Sequence, residues 1–109
     1  MKLIIAVVQD KDVSKLSERL VKEGIGATKL ASTGGFLRAG NTTFLVGVDD
    51  ERVESTLQTI KDSCRAREQL VTPMSPLGSQ VEAYVSFPIS VQVGGATVFV
   101  VDVDQFLQF

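Results

Sequence analysis

LIIAVV, residues 3–8, decides the fold, because it is an unbroken apolar run, rich in β-branched side chains, that the polar residues 9–12 bring to an end. Such a run predicts a strand that is buried on both faces. Residues 13–21 then carry apolar side chains at intervals of three and four. This spacing predicts a helix with Asp12 as its N-cap and with Gly24 ending it in the left-handed conformation.

The rest of the chain supplies further strands and a second helix. Strands are predicted at residues 27–33, 42–48, 69–72, 89–93 and 96–103, and a helix at residues 50–64, whose apolar positions share one face. Residues 73–88 hold all three prolines and predict an irregular loop. Gly94 and Gly95 separate the last two strands, which is a hairpin signal.

The order of these elements predicts the fold class. Strand, helix, strand, strand, helix, strand is typical of an α+β, ferredoxin-like βαββαβ sandwich, here with an additional C-terminal β-hairpin. We expect a single domain over residues 1–109. Both helices of such a sandwich cover one face of the sheet, yet residues 3–8 are apolar on both faces. The second apolar face therefore predicts a homo-oligomer whose sheets pack against one another.

Composition excludes several function classes. The 109 residues include 11 basic and 13 acidic side chains, for a net charge of −2, whereas non-specific nucleic-acid binders are usually basic. The chain has no histidine, which is the side chain best suited to proton transfer near neutral pH. A lone Cys64 cannot form an internal disulfide, and residues 1–8 are too short for a signal-peptide core. We expect a cytoplasmic protein without a membrane segment.

The densest chemistry lies in TGGFLRAGNTTFLVG, residues 33–47, which holds four of the nine glycines. Glycine loops let backbone N–H groups approach an anion, and an aromatic side chain beside them can stack on a base. GFLRAGNT, residues 35–42, differs from a P-loop in having Asn41 instead of lysine, and it leads into a strand rather than a helix. We therefore reject a P-loop NTPase; a plain glycine-containing hairpin is the alternative to a binding loop.

Other candidate residues have simpler interpretations. Cys64 lies in an apolar helix stripe and reads as a core residue, because no histidine can activate it. The acidic residues before the two helices are interpreted as favouring the helix N-termini rather than as metal ligands, namely Asp10, Asp12, Asp49, Asp50 and Glu51. Asp102 and Asp104 read as solvated surface. Phe106 and Phe109 are expected to dock the tail against a neighbouring subunit or the core.

Four segments together resemble the PII-like cyclic di-AMP receptors of bacteria, the PstA family. They are MKLIIAVVQD (1–10), ATKLASTGGFLRAGNTTFLVGV (27–48), MSPLGS (74–79) and VQVGGATVFVVDVDQF (91–106). The resemblance implies a ferredoxin-like subunit in a homotrimer, three nucleotide sites at subunit interfaces and no catalytic activity. It implies no cofactor beside the ligand cyclic di-AMP, and a downstream protein partner that the sequence does not identify.

The resemblance also implies roles for individual residues. Thr28 would contact a phosphate. Gly35, Phe36 and Leu37 would line the loop over the ligand, with Phe36 packing against an adenine, and Asn41 would hydrogen-bond an adenine edge. Gly47 would contribute backbone, and Phe99 with Gln108 would complete the pocket around a base. Lys29 and Arg38 are the candidate phosphate cations, because this chain has Gly26 where family members often carry a basic residue. The chain also departs from the family pattern at Leu107, where histidine is common, and at residues 81–88.

Three other functions have less support. An acylphosphatase-like hydrolase on the same fold needs an anion-gripping arginine loop after the first strand, and VVQDKDVS, residues 7–14, has neither arginine nor glycine. An RRM-type RNA-binding sheet needs exposed aromatic side chains on its central strands and a basic surface. A PII-like sensor of another adenine nucleotide such as ATP is the closest alternative.

Overall fold

The computed structural model of the chain describes residues 1–32, 40–71 and 89–109. The elements in chain order are β1 (Lys2–Gln9), α1 (Val13–Lys22), β2 (Thr28–Ser32), β3 (Asn41–Val48), α2 (Val53–Cys64), β4 (Arg67–Val71), β5 (Ile89–Val93) and β6 (Ala96–Asp102). A short 3₁₀ turn precedes each helix. In the described ranges no helix is long and apolar enough to cross a bilayer. The predicted loop at residues 73–88 lies outside the described residues.

Four antiparallel strands form the main sheet in the order β2-β3-β1-β6. The apolar β1 is central, so it pairs with β3 on one side and with β6 on the other. The predicted α+β class is confirmed, and this strand order is compatible with the predicted ferredoxin-like sandwich.

The core lies between one face of this sheet and the two helices. Along β1 every second side chain is fully buried, at Ile4, Ala6 and Val8, and Leu16 of α1 and Ile60 of α2 pack into the same cluster. The intervening β1 side chains are only half-buried. Within one chain, therefore, β1 is covered on one face and not on both.

The first helix begins and ends where the sequence predicts, but its N-cap residue makes no capping hydrogen bond. Gly24 has φ +70°, the left-handed conformation expected at a helix C-terminus. Asp12 occupies the N-cap position, but its carboxylate makes no capping hydrogen bond and instead pairs with Arg67. Val21, predicted to lie on the apolar stripe, is 76% exposed. The stripe is narrower than its spacing indicated, because Leu16 and Leu20 alone are the helix's buried residues.

The predicted hairpin across Gly94 and Gly95 was wrong. In the described part of the chain β5 pairs with β4 and β6 pairs with β1, so the two strands belong to different sheets. Both glycines have positive φ, at 79° and 104°. The Gly95 amide donates to the Cys64 carbonyl, and the Gly94 amide donates to Gln9 Oε1. The two glycines are thus tied to the sandwich, where the chain crosses from a two-stranded β4–β5 ribbon to the main sheet.

Candidate functional site

The face of the main sheet turned away from the helices carries most of the described candidate ligand residues. We call it the open face. Side chains alternate along a strand, and the register places these residues on it: Leu3, Ile5, Val7 and Gln9 of β1, Thr28 and Leu30 of β2, Asn41, Thr43, Leu45 and Gly47 of β3, and Thr97, Phe99 and Val101 of β6. Leu30, Phe99 and Val101 are 49%, 55% and 42% exposed. The open face is therefore apolar at its centre and accessible.

Four residues predicted to contact ligand lie on this one face. Thr28 and Phe99 belong to one row of side chains across the sheet, since Thr28 pairs with Leu45, Leu45 with Ile5, and Ile5 with Phe99. Three strand spacings separate them, or about 14 Å. Asn41 and Gly47 lie at opposite ends of β3, roughly 20 Å apart. One chain therefore presents these residues on a common surface without gathering them into a single pocket.

Lys29 lies on the other face of the sheet. It follows Thr28 on β2, so its side chain is on the helix side, where it lines a groove with Ser17 and Leu20 of α1. Thr28 and Lys29 thus extend from opposite faces of the edge strand β2.

Gly35, Phe36, Leu37 and Arg38 fall outside the described residues. The chain is described again from Gly40, whose carbonyl accepts a hydrogen bond from the Asp10 amide at 3.1 Å. The Asp10 carboxylate lies where a Cβ on Gly40 would be, and its Oδ1 accepts a hydrogen bond from the Thr42 hydroxyl at 2.9 Å. A side chain at position 40 would have to displace the Asp10 carboxylate, and these contacts fasten the C-terminal end of the glycine segment to the end of β1.

Gln108 belongs to an exposed tail that follows β6. The Val103 amide donates to the Met1 carbonyl at 3.3 Å. Beyond that point Phe106 and Leu107 are 61% and 66% exposed, and Phe109 is fully exposed. The two phenylalanines do not dock against the chain's own core, which leaves a neighbouring subunit as the predicted contact.

Asp12, one of the acidic residues after β1, forms an ion pair that the sequence did not indicate. Asp12 is buried, and its Oδ1 accepts a hydrogen bond from Arg67 Nη2 at 2.9 Å. The Asp12 carboxylate raises the pKa of the Arg67 guanidinium. Because 55 residues separate this pair in sequence, no local pattern could have indicated it.

Cys64 and Asp50, two further candidates from the sequence, have structural contacts. Cys64 is fully buried, as predicted for a core residue, and burial raises the pKa of its thiol to about 11. Across residues 1–32, 40–71 and 89–109 there is no group of three side chains suited to holding a metal ion. Asp50, one of the candidate acidic residues, forms an ion pair with the N-terminal ammonium at 3.0 Å.

Comparisons with known proteins show one family and one similar solved structure. The sequence pattern of a family described as cyclic-di-AMP receptor matches residues 1–109. Among solved structures, the chain is similar to a functionally unknown protein from Pediococcus pentosaceus ATCC 25745, with 48% identity and a TM-score of 0.78 over 99% of this chain and 96% of that one. With the family pattern matched over the whole chain, this protein belongs to the cyclic-di-AMP receptor family.

Proposed function

We propose that the chain is a non-catalytic, PII-like signalling receptor in the cytoplasm, acting as one domain in a homotrimer that binds cyclic di-AMP at its subunit interfaces. The observation that carries this proposal is the open face, where Thr28, Asn41, Gly47 and Phe99 surround an accessible apolar surface. Family membership supports the ligand.

The open face supports assembly. Leu3, Ile5, Val7 and Leu45 are only half-buried in one chain, and Phe99 and Val101 beside them are more exposed still. Burying apolar surface contributes about 25 cal/mol per Å², so covering this face with another copy gives a substantial driving force. The exposed tail with Phe106 and Phe109 adds apolar area that a neighbouring subunit would cover.

The spread of the candidate residues supports a site between subunits. Thr28 and Phe99 are about 14 Å apart on one chain, too far to contact a single base together. When the open faces of two chains meet, Thr28 of one can approach Phe99 and Gln108 of the next. A cyclic dinucleotide with two bases and two phosphates suits such a divided site, because each chain supplies a different part of it.

The chemistry of these residues fits the ligand. The Thr28 hydroxyl donates to phosphate oxygen, and the Asn41 amide offers the donor and acceptor that an adenine edge requires. Lys29 extends from the face of β2 opposite to Thr28. We therefore propose that Arg38 or a cation of the adjacent subunit pairs with the phosphate that Thr28 contacts. The net charge of −2 makes that local cation important.

Signal output follows from differential binding. The ligand shifts a conformational equilibrium only if it binds one loop state more tightly than another. We propose that the states of residues 36–40 and 73–88 differ in this way and that a downstream protein recognises the liganded one.

Calorimetric titration with cyclic di-AMP, cyclic di-GMP, ATP and AMP tests the proposal. We expect wild type to select cyclic di-AMP and Asn41→Ala to weaken it by at least about tenfold, because a buried adenine edge would lose its hydrogen bonds. Gln58→Ala is the matched control, since it removes an exposed amide on α2 that donates to Asp62 in the same helix, away from the open face. If wild type prefers ATP, the ligand assignment is wrong and ATP takes the place of cyclic di-AMP in the proposal. If sedimentation shows a monomer at micromolar concentration, the proposed site between subunits is wrong.

A further inference from the structure

We propose that Gln9, Asp12 and Arg67 form a junction that sets the direction of the β4–β5 ribbon and couples it to the end of β3 that carries Asn41. Arg67 acts here as a positioning residue. The ligand half of this inference rests on the proposed function, whereas the hold on the ribbon does not.

The ion pair fastens the first residue of β4 to the sandwich. The Asp12 side chain is 3% exposed, and Arg67 Nη2 lies 2.9 Å from its Oδ1. The second oxygen, Oδ2, is buried and has no hydrogen-bond partner among the described residues. Arg67 is therefore the group that compensates a buried carboxylate, and removing it leaves that charge unpaired. Arg67 Nη1 also donates to the Arg65 carbonyl at 3.2 Å, which fixes the guanidinium.

The end of β5 is held at the same place. The Gly94 amide donates to Gln9 Oε1 at 2.8 Å, directly after the last β5 residue. A Cβ on Gly94 would lie 2.5 Å from Arg67 Nη1 and 2.9 Å from the Arg65 carbonyl oxygen. Gly94 also has φ +79°, where a side chain is disfavoured. Both strands of the ribbon thus enter the sandwich through one tightly packed point.

The same point touches the ligand strand. Gln9 pairs with Asn41 in the β1–β3 ladder, so one residue lies between the proposed adenine contact and the Gly94 amide. Next to it, Asp10 holds the Gly40 carbonyl and the Thr42 hydroxyl. A four-residue segment, 9–12, therefore binds the end of the glycine segment on one side and the ribbon on the other.

Among the described residues, few other contacts hold the ribbon. Residues 67–70 and 89–92 are exposed, and Val93 is the one buried residue among the described side chains of the two strands. A two-stranded ribbon is marginally stable alone in water. The orientation of the ribbon consequently depends on the junction. A change at Asn41 that moves Gln9 would move the Gly94 amide with it, and so would move the ribbon. By linkage, a ribbon state favoured by ligand also favours ligand binding.

Hydrogen exchange on the ligand-free protein tests the junction. In Arg67→Gln we expect amides of 67–71 and 89–93 to exchange at least about tenfold faster, with a smaller increase at 40–42. Arg67→Lys should restore part of the protection. Lys2→Met is the matched control, because it removes an ion pair at the opposite end of β1 and should leave the ribbon unchanged. Should Arg67→Gln fail to fold, Asp12→Asn/Arg67→Gln removes the pair without leaving a buried charge.

Unchanged exchange in the ribbon would overturn the junction's hold on it, and faster exchange there without any change at 40–42 would overturn the coupling. A double-mutant cycle then measures cyclic di-AMP affinity for Asn41→Ala, Arg67→Gln and both together. Coupling predicts that the two losses are not additive, whereas additive losses contradict it. If wild type binds no cyclic di-AMP, the proposed function is wrong. The hydrogen-exchange measurements on the ligand-free protein still test the junction in that case.

Discussion

The two faces of the main sheet are both apolar, but they meet different surroundings. On the face toward the helices, Ile4, Ala6 and Val8 are at most 1% exposed, and so are Phe44 and Val46. On the open face, the alternate residues of β1 remain half-buried, and Phe99 at the edge is 55% exposed. The same strands thus form a covered core on one side and leave apolar side chains uncovered on the other.

This difference teaches that one strand can serve folding and assembly at once. Neighbouring residues of β3 illustrate it: Phe44 packs under the helices, whereas Leu45 faces outward in the row that links Thr28 to Phe99. A substitution at an even-numbered position of β3, under the helices, should therefore affect the stability of the chain. A substitution at an odd-numbered position, on the open face, should affect subunit association.

The largest expected effect is on the helix-covered face. Phe44→Ala removes a side chain that is 1% exposed and leaves a cavity that the packed helices cannot fill. We expect the free energy of unfolding to fall by about 3–5 kcal/mol, measured by urea denaturation at fixed protomer concentration. Leu45→Ala is the control at the adjacent position. A similar loss for both variants in a monomeric sample would show that the two faces are not distinct.

The next effect separates association from folding. Leu45→Asp places a carboxylate at the centre of the open face, where another subunit would have to bury it without a partner. We expect sedimentation to show monomers, circular dichroism to show retained secondary structure, and cyclic di-AMP binding to be lost with the interface. If Leu45→Asp assembles like wild type, the open face is not the contact surface.

A gain of function is expected at the edge of the open face. Gly26 precedes Thr28 by two residues, and a Cβ there meets no atom of the described residues within 4 Å. Gly26→Arg can therefore add a cation near the proposed phosphate contact without a clash at its Cβ. We expect about tenfold tighter cyclic di-AMP binding, because a hydrogen bond to a charged group is stronger than a neutral one.

Gly26→Gln is the control for this gain, since it adds a side chain of similar reach without charge. The advantage of arginine over glutamine should shrink as salt is raised. Equal affinity for both variants at low salt would place the phosphate elsewhere.

Sequence patterns predicted the elements well wherever a periodicity was local. The apolar run 3–8 and the 3.6-residue spacing before Cys64 depend on neighbouring residues, so both gave the right element. The same run predicted burial on both faces, but in one chain its alternate side chains are only half-buried. A sequence pattern shows which side chains are apolar, and it does not show whether the same chain or another subunit buries them. The oligomer stays a prediction for that reason.

The errors came from long-range contacts. Gly94 and Gly95 satisfy a hairpin pattern, but their amides are taken by Gln9 and the Cys64 carbonyl, so each flanking strand pairs elsewhere. Asp12 satisfies a capping pattern, but Arg67 takes its carboxylate. Of the candidate site, the register brought Thr28 and Phe99 into one row, which spacing along the chain could not have foreseen.

The smallest expected effect concerns charge at the rim of the covered face. Lys2 and Asp102 form an ion pair at the end of β1, with side chains 34% and 77% exposed. The Lys2 ammonium lowers the pKa of Asp102 below its ordinary value of 3.8, and Asp102 in turn raises the pKa of Lys2. A carboxylate whose pKa is lower in the folded state stabilises the protein above its unfolded pKa and stops doing so as the pH falls through its folded pKa.

Asp102→Asn should consequently lower the urea midpoint only slightly at pH 7, and the gap from wild type should close below about pH 4. Because Asp102 is 77% exposed and Lys2 is not buried, salt near 1 M should erase the gap as well. The Phe44→Ala loss should survive both treatments, since it depends on packing rather than charge. If the urea midpoint of Asp102→Asn stays below that of wild type in acid and in high salt, Asp102 acts through contacts with the strand ends. Its charge would then not contribute to holding β6 against β1.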